Sequence, residues 1–125
     1  MPVRMSKRSS IIRNAPKRHK YNAKPCEVNG IKYRSQKEMR RHQELLLMEK
    51  AGEITDLKRE VPFILAPSVV INGKKVRELR YFVDFTYFNR NGELKCEDTK
   101  GMKTRVYMIK RHLMRHIWDI EVLET

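Results

Sequence analysis

The sequence predicts a mixed α/β fold (α+β), a central mixed sheet flanked by helices, and three observations carry that prediction. Two segments, 35–52 and 104–116, start at capping residues and have helical composition. Between them run short apolar and aromatic stretches broken by Asn-Gly, Pro and Asn-Arg-Asn-Gly signals, the pattern of strands joined by turns. A last apolar stretch, 117–123, reads as a closing strand, so the order is helix, several strands, helix, strand, with no internal repeat.

Taken in order, residues 1–25 are basic, polar and punctuated by Pro2, Pro16 and Pro25. Such a segment has too little apolar surface to bury, and it is expected to be a disordered arm lying along phosphates, or a solvated tail that aids solubility. Residues 26–125 are expected to form a single domain, since about a hundred residues can bury one modest core. Asn29-Gly30, between short alternating runs, predicts a hairpin over 27–33. Ser35 caps the first helix and Glu38 is placed to complete a capping box. Leu45, Leu46, Leu47 and Met48 give that helix its apolar payload, and Gly52 supplies a left-handed end. Strands are expected at 61–65, ending at Pro67, and at 68–71, turning at Asn72-Gly73. The most strand-like segment is 80–88, rich in Tyr, Phe and Val, with 93–100 as its hairpin partner. Thr104 caps a second helix over 105–116, with Val106, Ile109 and Leu113 on one face and Arg105, Arg111, His112 and Arg115 on the other.

Charge narrows the partner. The chain of 125 residues has a formal net charge of +13, and eight of its Lys and Arg fall in the first 24 residues, which hold no acid. A surplus of this kind favours a polyanion, because each phosphate neutralised releases counterions. No run of 18 apolar residues is present, and the basic N-terminus lacks the apolar stretch of a secretory signal. A protein that neither crosses nor inserts into a membrane, residing in the cytoplasm, is expected. Cys26 and Cys96 form no CxxC pair and suit a reducing compartment as free thiols.

The chemistry concentrates around one acid. Asp84 interrupts the most apolar strand, where a buried carboxylate is costly unless paired or bound to a metal. On the next strand Asp98 and Lys100 are two residues apart, so alternation puts both on one face and Glu97 on the other. Two such carboxylates repel each other unless a divalent cation lies between them. Hard oxygen ligands suit Mg²⁺, which keeps several waters and also binds phosphate. An ammonium beside that water would orient it or steady a pentavalent phosphate.

Val83-Asp84-Phe85, followed thirteen residues on by Asp98-Thr99-Lys100-Gly101, resembles the PD-(D/E)XK nuclease superfamily. Val83 stands where the family name has proline. The helix start Ser35-Gln36-Lys37-Glu38, and Thr104 followed by Tyr107 and Lys110, are also similar to a phage-borne family of small nuclease-like proteins, over about residues 30–122. The resemblance implies a restriction-endonuclease-like αβββαβ core. It implies Asp84 and Asp98 as ligands of Mg²⁺ or Mn²⁺, Glu38 as an acid completing the site, and Lys100 as the catalytic lysine. Arg105, Lys110, Arg111 and Arg115 become candidates for nucleic-acid contact. The implied activity is endonucleolytic cleavage of DNA, duplex or branched, of phage or prophage type in the host cytoplasm. Small superfamily members include Holliday junction resolvases, which act as homodimers.

Plainer readings stand beside these. Asp84 would be a strand residue paired with an arginine such as Arg80. Asp98 and Lys100 would be an ion pair at a hairpin rim, worth little to stability. Capping alone accounts for Glu38. Glu97 replaces Asp98 as the acid if a bulge shifts the register. His112 and His116 have metal-ligand spacing but no third ligand nearby, so a basic phosphate-facing helix explains them better. A non-catalytic nucleic-acid-binding module and an inactive nuclease fold are the competing functions.

Overall fold

The computed structural model describes residues 24–99 and 103–125. The greater part of the expected N-terminal arm, and Lys100, lie outside the described residues.

The chain opens with a small hairpin, β1 (Cys26–Val28) and β2 (Ile31–Tyr33). Its turn carries Asn29 and Gly30 at φ 54° and 80°, the left-handed pair that an Asn-Gly hairpin requires. Helix α1 (Gln36–Lys50) follows, with Ser35 Oγ accepting from Glu38 N at 3.1 Å. Gly52, at φ 81°, closes it: Gly52 N donates to Glu49 O and Glu53 N to Met48 O, the paired bonds of a Schellman end.

Four strands form the main sheet in the order β3-β6-β7-β8. Strand β3 (Thr55–Ala66) pairs antiparallel with β6 (Leu79–Phe88), which pairs antiparallel with β7 (Leu94–Asp98). After helix α2 (Arg105–Trp118), β8 (Leu123–Glu124) returns parallel to β7. Between β3 and β6 a second small hairpin is inserted, β4 (Val69–Ile71) with β5 (Lys74–Val76). Apart from that insertion and the leading hairpin, the order is αβββαβ around a mixed sheet, as expected.

Some details differ from the sequence reading. Strand β3 is 12 residues long and contains Pro62. It lies on the edge of the sheet, where a residue without an N–H is tolerated. The stretch 117–123 is not one strand: α2 runs on through Ile117 and Trp118, and only Leu123 and Glu124 are extended. The helix stops where Asp119 adopts φ 57°, a left-handed stop made by Asp rather than by the Gly or Pro that sequence rules look for. Val106 and Ile109 do not form the buried face of α2 either; they are 61% and 54% exposed. Tyr107 and Met114, seven residues apart, face the sheet instead.

The core has two parts. Phe63, Leu65, Tyr81, Val83 and Cys96 pack with Tyr107 and Met114 of α2. Ile54, Phe85 and Tyr87 pack with Leu45 of α1. Simple alternation would send Tyr81, Val83, Phe85 and Tyr87 to one face of β6, yet the first two join one cluster and the last two the other. The phase changes at Asp84. Strand β3 changes with it: Val61 and Phe63 belong with the α2 side and Leu57 with the α1 side. Glu60, opposite Asp84 in the register between Arg59↔Phe85 and Val61↔Val83, has φ 51°.

Candidate functional site

That change of phase leaves every residue from 83 to 87 buried and puts Asp84 at the junction of the two core clusters. Asp84 is 3% exposed and Asp98 is 0%. Continuing the Phe85↔Glu97 register by one step sets them opposite each other on β6 and β7, and Asp84 N donates to Asp98 Oδ1 at 3.0 Å. The other Asp98 oxygen accepts from the Tyr81 hydroxyl. Burial and then the Asp98 carboxylate push the Tyr81 pKa well above its ordinary value, so the phenol stays a donor.

Asp84 is held from two directions. Its Oδ2 accepts from Thr99 N at 2.8 Å and from Thr99 Oγ1 at 2.9 Å. Its Oδ1 accepts from Arg34 Nη2 at 2.7 Å. The pairing arginine is therefore Arg34, 50 positions away in sequence, and not Arg80, which bonds Glu78 at 3.4 Å and lies over the Phe82 ring.

Glu38 arrives from the first turn of α1 and is 2% exposed. One oxygen serves the helix start: Oε1 accepts from Arg34 N at 2.8 Å, one residue ahead of the bond that a standard capping box makes. The other, Oε2, is buried without a hydrogen-bond partner among the described residues. Arg34 Nη2 and Arg59 Nη2 each stand 3.8 Å from it. Arg59 also lies over the Tyr33 ring at 4.6 Å. Arg34 thus contacts Asp84 and Glu38 with a single guanidinium nitrogen.

Glu97 points to the opposite side from Asp98, as alternation requires. It takes two bonds of 2.8 Å from Arg41 Nε and Nη2, and a third from the Tyr87 hydroxyl, whose pKa burial and then Glu97 push up to about 12. No bulge shifts the β6–β7 register. Cys96, in the α2-side core, is a free thiol pushed up to about 11 by burial and then by Asp98, and Cys26 is free as well.

The basic residues of α2 divide. Arg105 points outward with no ion pair among the described residues. Arg111 pairs with Glu124 at 2.6 Å, and Arg115 with Asp119. Lys110 turns inward, its Nζ donating to Arg80 O at 2.9 Å. Arg105, Met108, Ile109, His112 and Leu113 line an open hollow of about 420 Å³, to which none of the acids contributes.

The sequence singled out Glu38, Asp84 and Asp98, and the structure brings Asp84 against Asp98 and joins Glu38 to Asp84 through Arg34. It missed Arg34, Arg59 and Tyr81. A basic residue directly ahead of the capping serine was the available signal for Arg34; the other two carried none, because only the fold brings them to these acids. The chemistry of the donors fits a hard divalent cation: a buried carboxylate oxygen lacks a hydrogen-bond partner among the described residues, and the cationic group of Arg34 lies between it and a second carboxylate. Among the described residues no group of three or more His, Cys, Asp or Glu converges as a ready-made metal cluster.

An αβββαβ core with acids from the first helix and the two central strands defines an α/β protein of restriction-endonuclease-like fold. The family profile described as "Protein of unknown function (DUF1064)" matches residues 18–122, and the chain belongs to that family. No match was found among curated proteins or among solved structures. None of the described helices is long and apolar enough to cross a membrane.

Proposed function

We propose that this protein is a metal-dependent endodeoxyribonuclease, selective for DNA structure and acting on duplex or branched DNA such as a four-way junction. The observation that carries the reading is the burial of Glu38, Asp84 and Asp98, with Asp84 against Asp98 and Glu38 linked to Asp84 through the Arg34 guanidinium. Burying acids is costly unless a cation is part of the design. Asp84 and Asp98, with Glu38, would hold Mg²⁺ or Mn²⁺. When bound, the ion supplies Lewis-acid charge to the phosphate and acidifies water.

The remaining work falls to the chain. Lys100, two residues beyond Asp98, positions the attacking water and stabilises charge on the phosphate. Thr99 fixes the Asp84 carboxylate through its N–H and hydroxyl, so Asp84 cannot rotate away. Tyr81 does the same for Asp98. Arg34, 67% exposed on its side chain, can leave the carboxylates and meet a phosphate instead. Arg105, Arg111 and Arg115, with the basic arm, hold backbone phosphates, contacts that position DNA without reading its sequence. A homodimer, brought by the likeness to junction-resolving nucleases, is the expected assembly, and sedimentation tests it.

The decisive experiment is cleavage of labelled four-way junction, linear duplex and single-stranded DNA with Mg²⁺, Mn²⁺ or EDTA. Metal-dependent cutting that disappears in Lys100→Ala and Asp84→Asn is the expected result. Binding without cutting under every metal condition overturns it and leaves a basic nucleic-acid-binding module on a nuclease fold.

A further inference from the structure

The inserted hairpin β4–β5 plays no part in the core. All six of its strand residues are exposed, Val70 at 70% and Ile71 at 54%. The register Val69↔Val76, Val70↔Lys75, Ile71↔Lys74 puts Val69, Ile71, Lys74 and Val76 on one face and Val70 with Lys75 on the other. A two-stranded ribbon is marginal by itself in water. This one is fixed at its tip by Asn72 and Gly73, at φ 51° and 77°, and at its base by the Ala66↔Leu79 pair of the main sheet.

Its charge says what it meets. Lys74, Lys75 and Arg77 form no ion pair among the described residues, and Glu78, the acid next along the chain, bonds Arg80. A second copy of this chain, itself carrying +13, would bring like charge against the ribbon, whereas a phosphate backbone brings the opposite. The dimensions also suit a nucleic acid: the major groove of B-DNA, about 12 Å wide, admits a two-stranded ribbon. Short apolar side chains between lysines match a groove wall of sugars and base edges flanked by phosphates.

Position ties the ribbon to the acids. Strand β6 runs from the ribbon's base at Leu79 to Asp84 in five residues, roughly 17 Å at strand rise. Strand β7 is antiparallel to β6, so its Asp98 end is directed toward the same end of the sheet. We infer that β4–β5 is a groove-binding ribbon for duplex DNA, with Lys74 and Lys75 on phosphates and Val69, Ile71 and Val76 against the groove wall, seating the duplex beside Asp84 and Asp98. This rests on the reading of DNA as the partner, but not on cleavage.

The test is therefore binding in EDTA, measured by fluorescence anisotropy of a labelled linear duplex over a range of salt. Compared with wild type, Lys74→Gln/Lys75→Gln should weaken binding about tenfold and make the slope of log K against log salt shallower by roughly 2, one for each phosphate no longer neutralised. Val69→Ser/Ile71→Ser should weaken binding with the slope unchanged. Circular dichroism of both variants should match wild type. Binding and slope at wild-type values in the lysine variant would overturn the ribbon assignment while leaving DNA as partner. A wild-type protein that binds no DNA would overturn the partner as well. Dissociation of a dimer by Val69→Ser/Ile71→Ser in sedimentation, with DNA binding intact, would make the ribbon a self-association arm and likewise overturn the inference.

Discussion

Glu38 divides its carboxylate between two tasks, one oxygen on the backbone N–H of Arg34 and the other facing two guanidiniums. The tasks separate by substitution. Glu38→Gln keeps an acceptor for the helix start but loses the charge, so its thermal stability should stay near wild type while Mn²⁺ binding, measured by calorimetric titration in the absence of DNA, is lost. A fall in stability with metal binding unchanged would make Glu38 a cap alone. Ser35→Ala removes only the cap and should cost about 1 kcal/mol in denaturant unfolding. Arg34 stands between the carboxylates proposed to hold the ion, so on that reading Arg34→Gln should bind Mn²⁺ more tightly than wild type; equal or weaker affinity would show that the guanidinium does not compete with the ion.

His42 carries the residue-scale pH dependence. Burial, and then the Arg59 guanidinium, lower its pKa below the ordinary 6.5 against an opposing pull from Glu49. It is 5% exposed, stacked on Phe85, with Nδ1 2.6 Å from the Tyr33 hydroxyl. A folded-state pKa below the unfolded one means that the unfolded chain binds more protons as pH falls through that window. The contribution of a neutral His42 is thus fully present above about pH 7 and is lost as pH falls below 6.5. Melting temperature followed against pH should drop on the acid side, and His42→Gln should flatten that limb.

At the scale of elements, α1 is fastened to the sheet by Arg41 and Glu97, with Tyr87 as third partner. Glu97 is 1% exposed, so Arg41→Met strands a buried charge and should cost about 3 kcal/mol in urea unfolding. Adding Glu97→Leu should restore most of that loss, since removing both partners leaves no unpaired charge. If the double variant is as unstable as the single one, packing of the Arg41 stem, and not its charge, holds the helix. Phe85→Ala, at a fully buried ring, should cost about 3–5 kcal/mol in the same measurement.

The same scale explains why some elements were legible and others not. The Asn29-Gly30 hairpin, the Ser35 start and Gly52 end of α1, and the run that became β6 follow local rules, because turn geometry, capping and strand composition act within a few residues. The extent of α2 did not: an Asp ends it in the left-handed region, and its buried stripe is set by where the sheet lies, not by the most apolar residues. Val106 and Ile109 fall on the apolar face that the sequence marks, yet both are exposed.

Over the whole molecule, the net charge of +13 would make the proposed association with DNA strongly dependent on salt, and eight of the Lys and Arg are concentrated before residue 25. Deleting residues 1–24 should make the slope of log K against log salt shallower and weaken binding to every DNA substrate alike. A deletion that changes preference among substrates without changing the slope would give the arm a recognition role instead of an electrostatic one.

By itself, the sequence determined the element order, the hairpin that sets Asp84 opposite Asp98, and the basic character of the chain. Each follows from spacing or composition that any extended or helical chain must obey. Only the tertiary structure decided which cations meet the acids. Arg34 and Asp84 are 50 positions apart, and Arg41 and Glu97 are 56, distances over which no periodicity carries information. It also decided that β6 changes phase at Asp84, burying a carboxylate between two cores. That burial depends on the neighbouring backbone of β3 at Glu60 and on helices packed from both sides, contacts that exist only once the chain has folded.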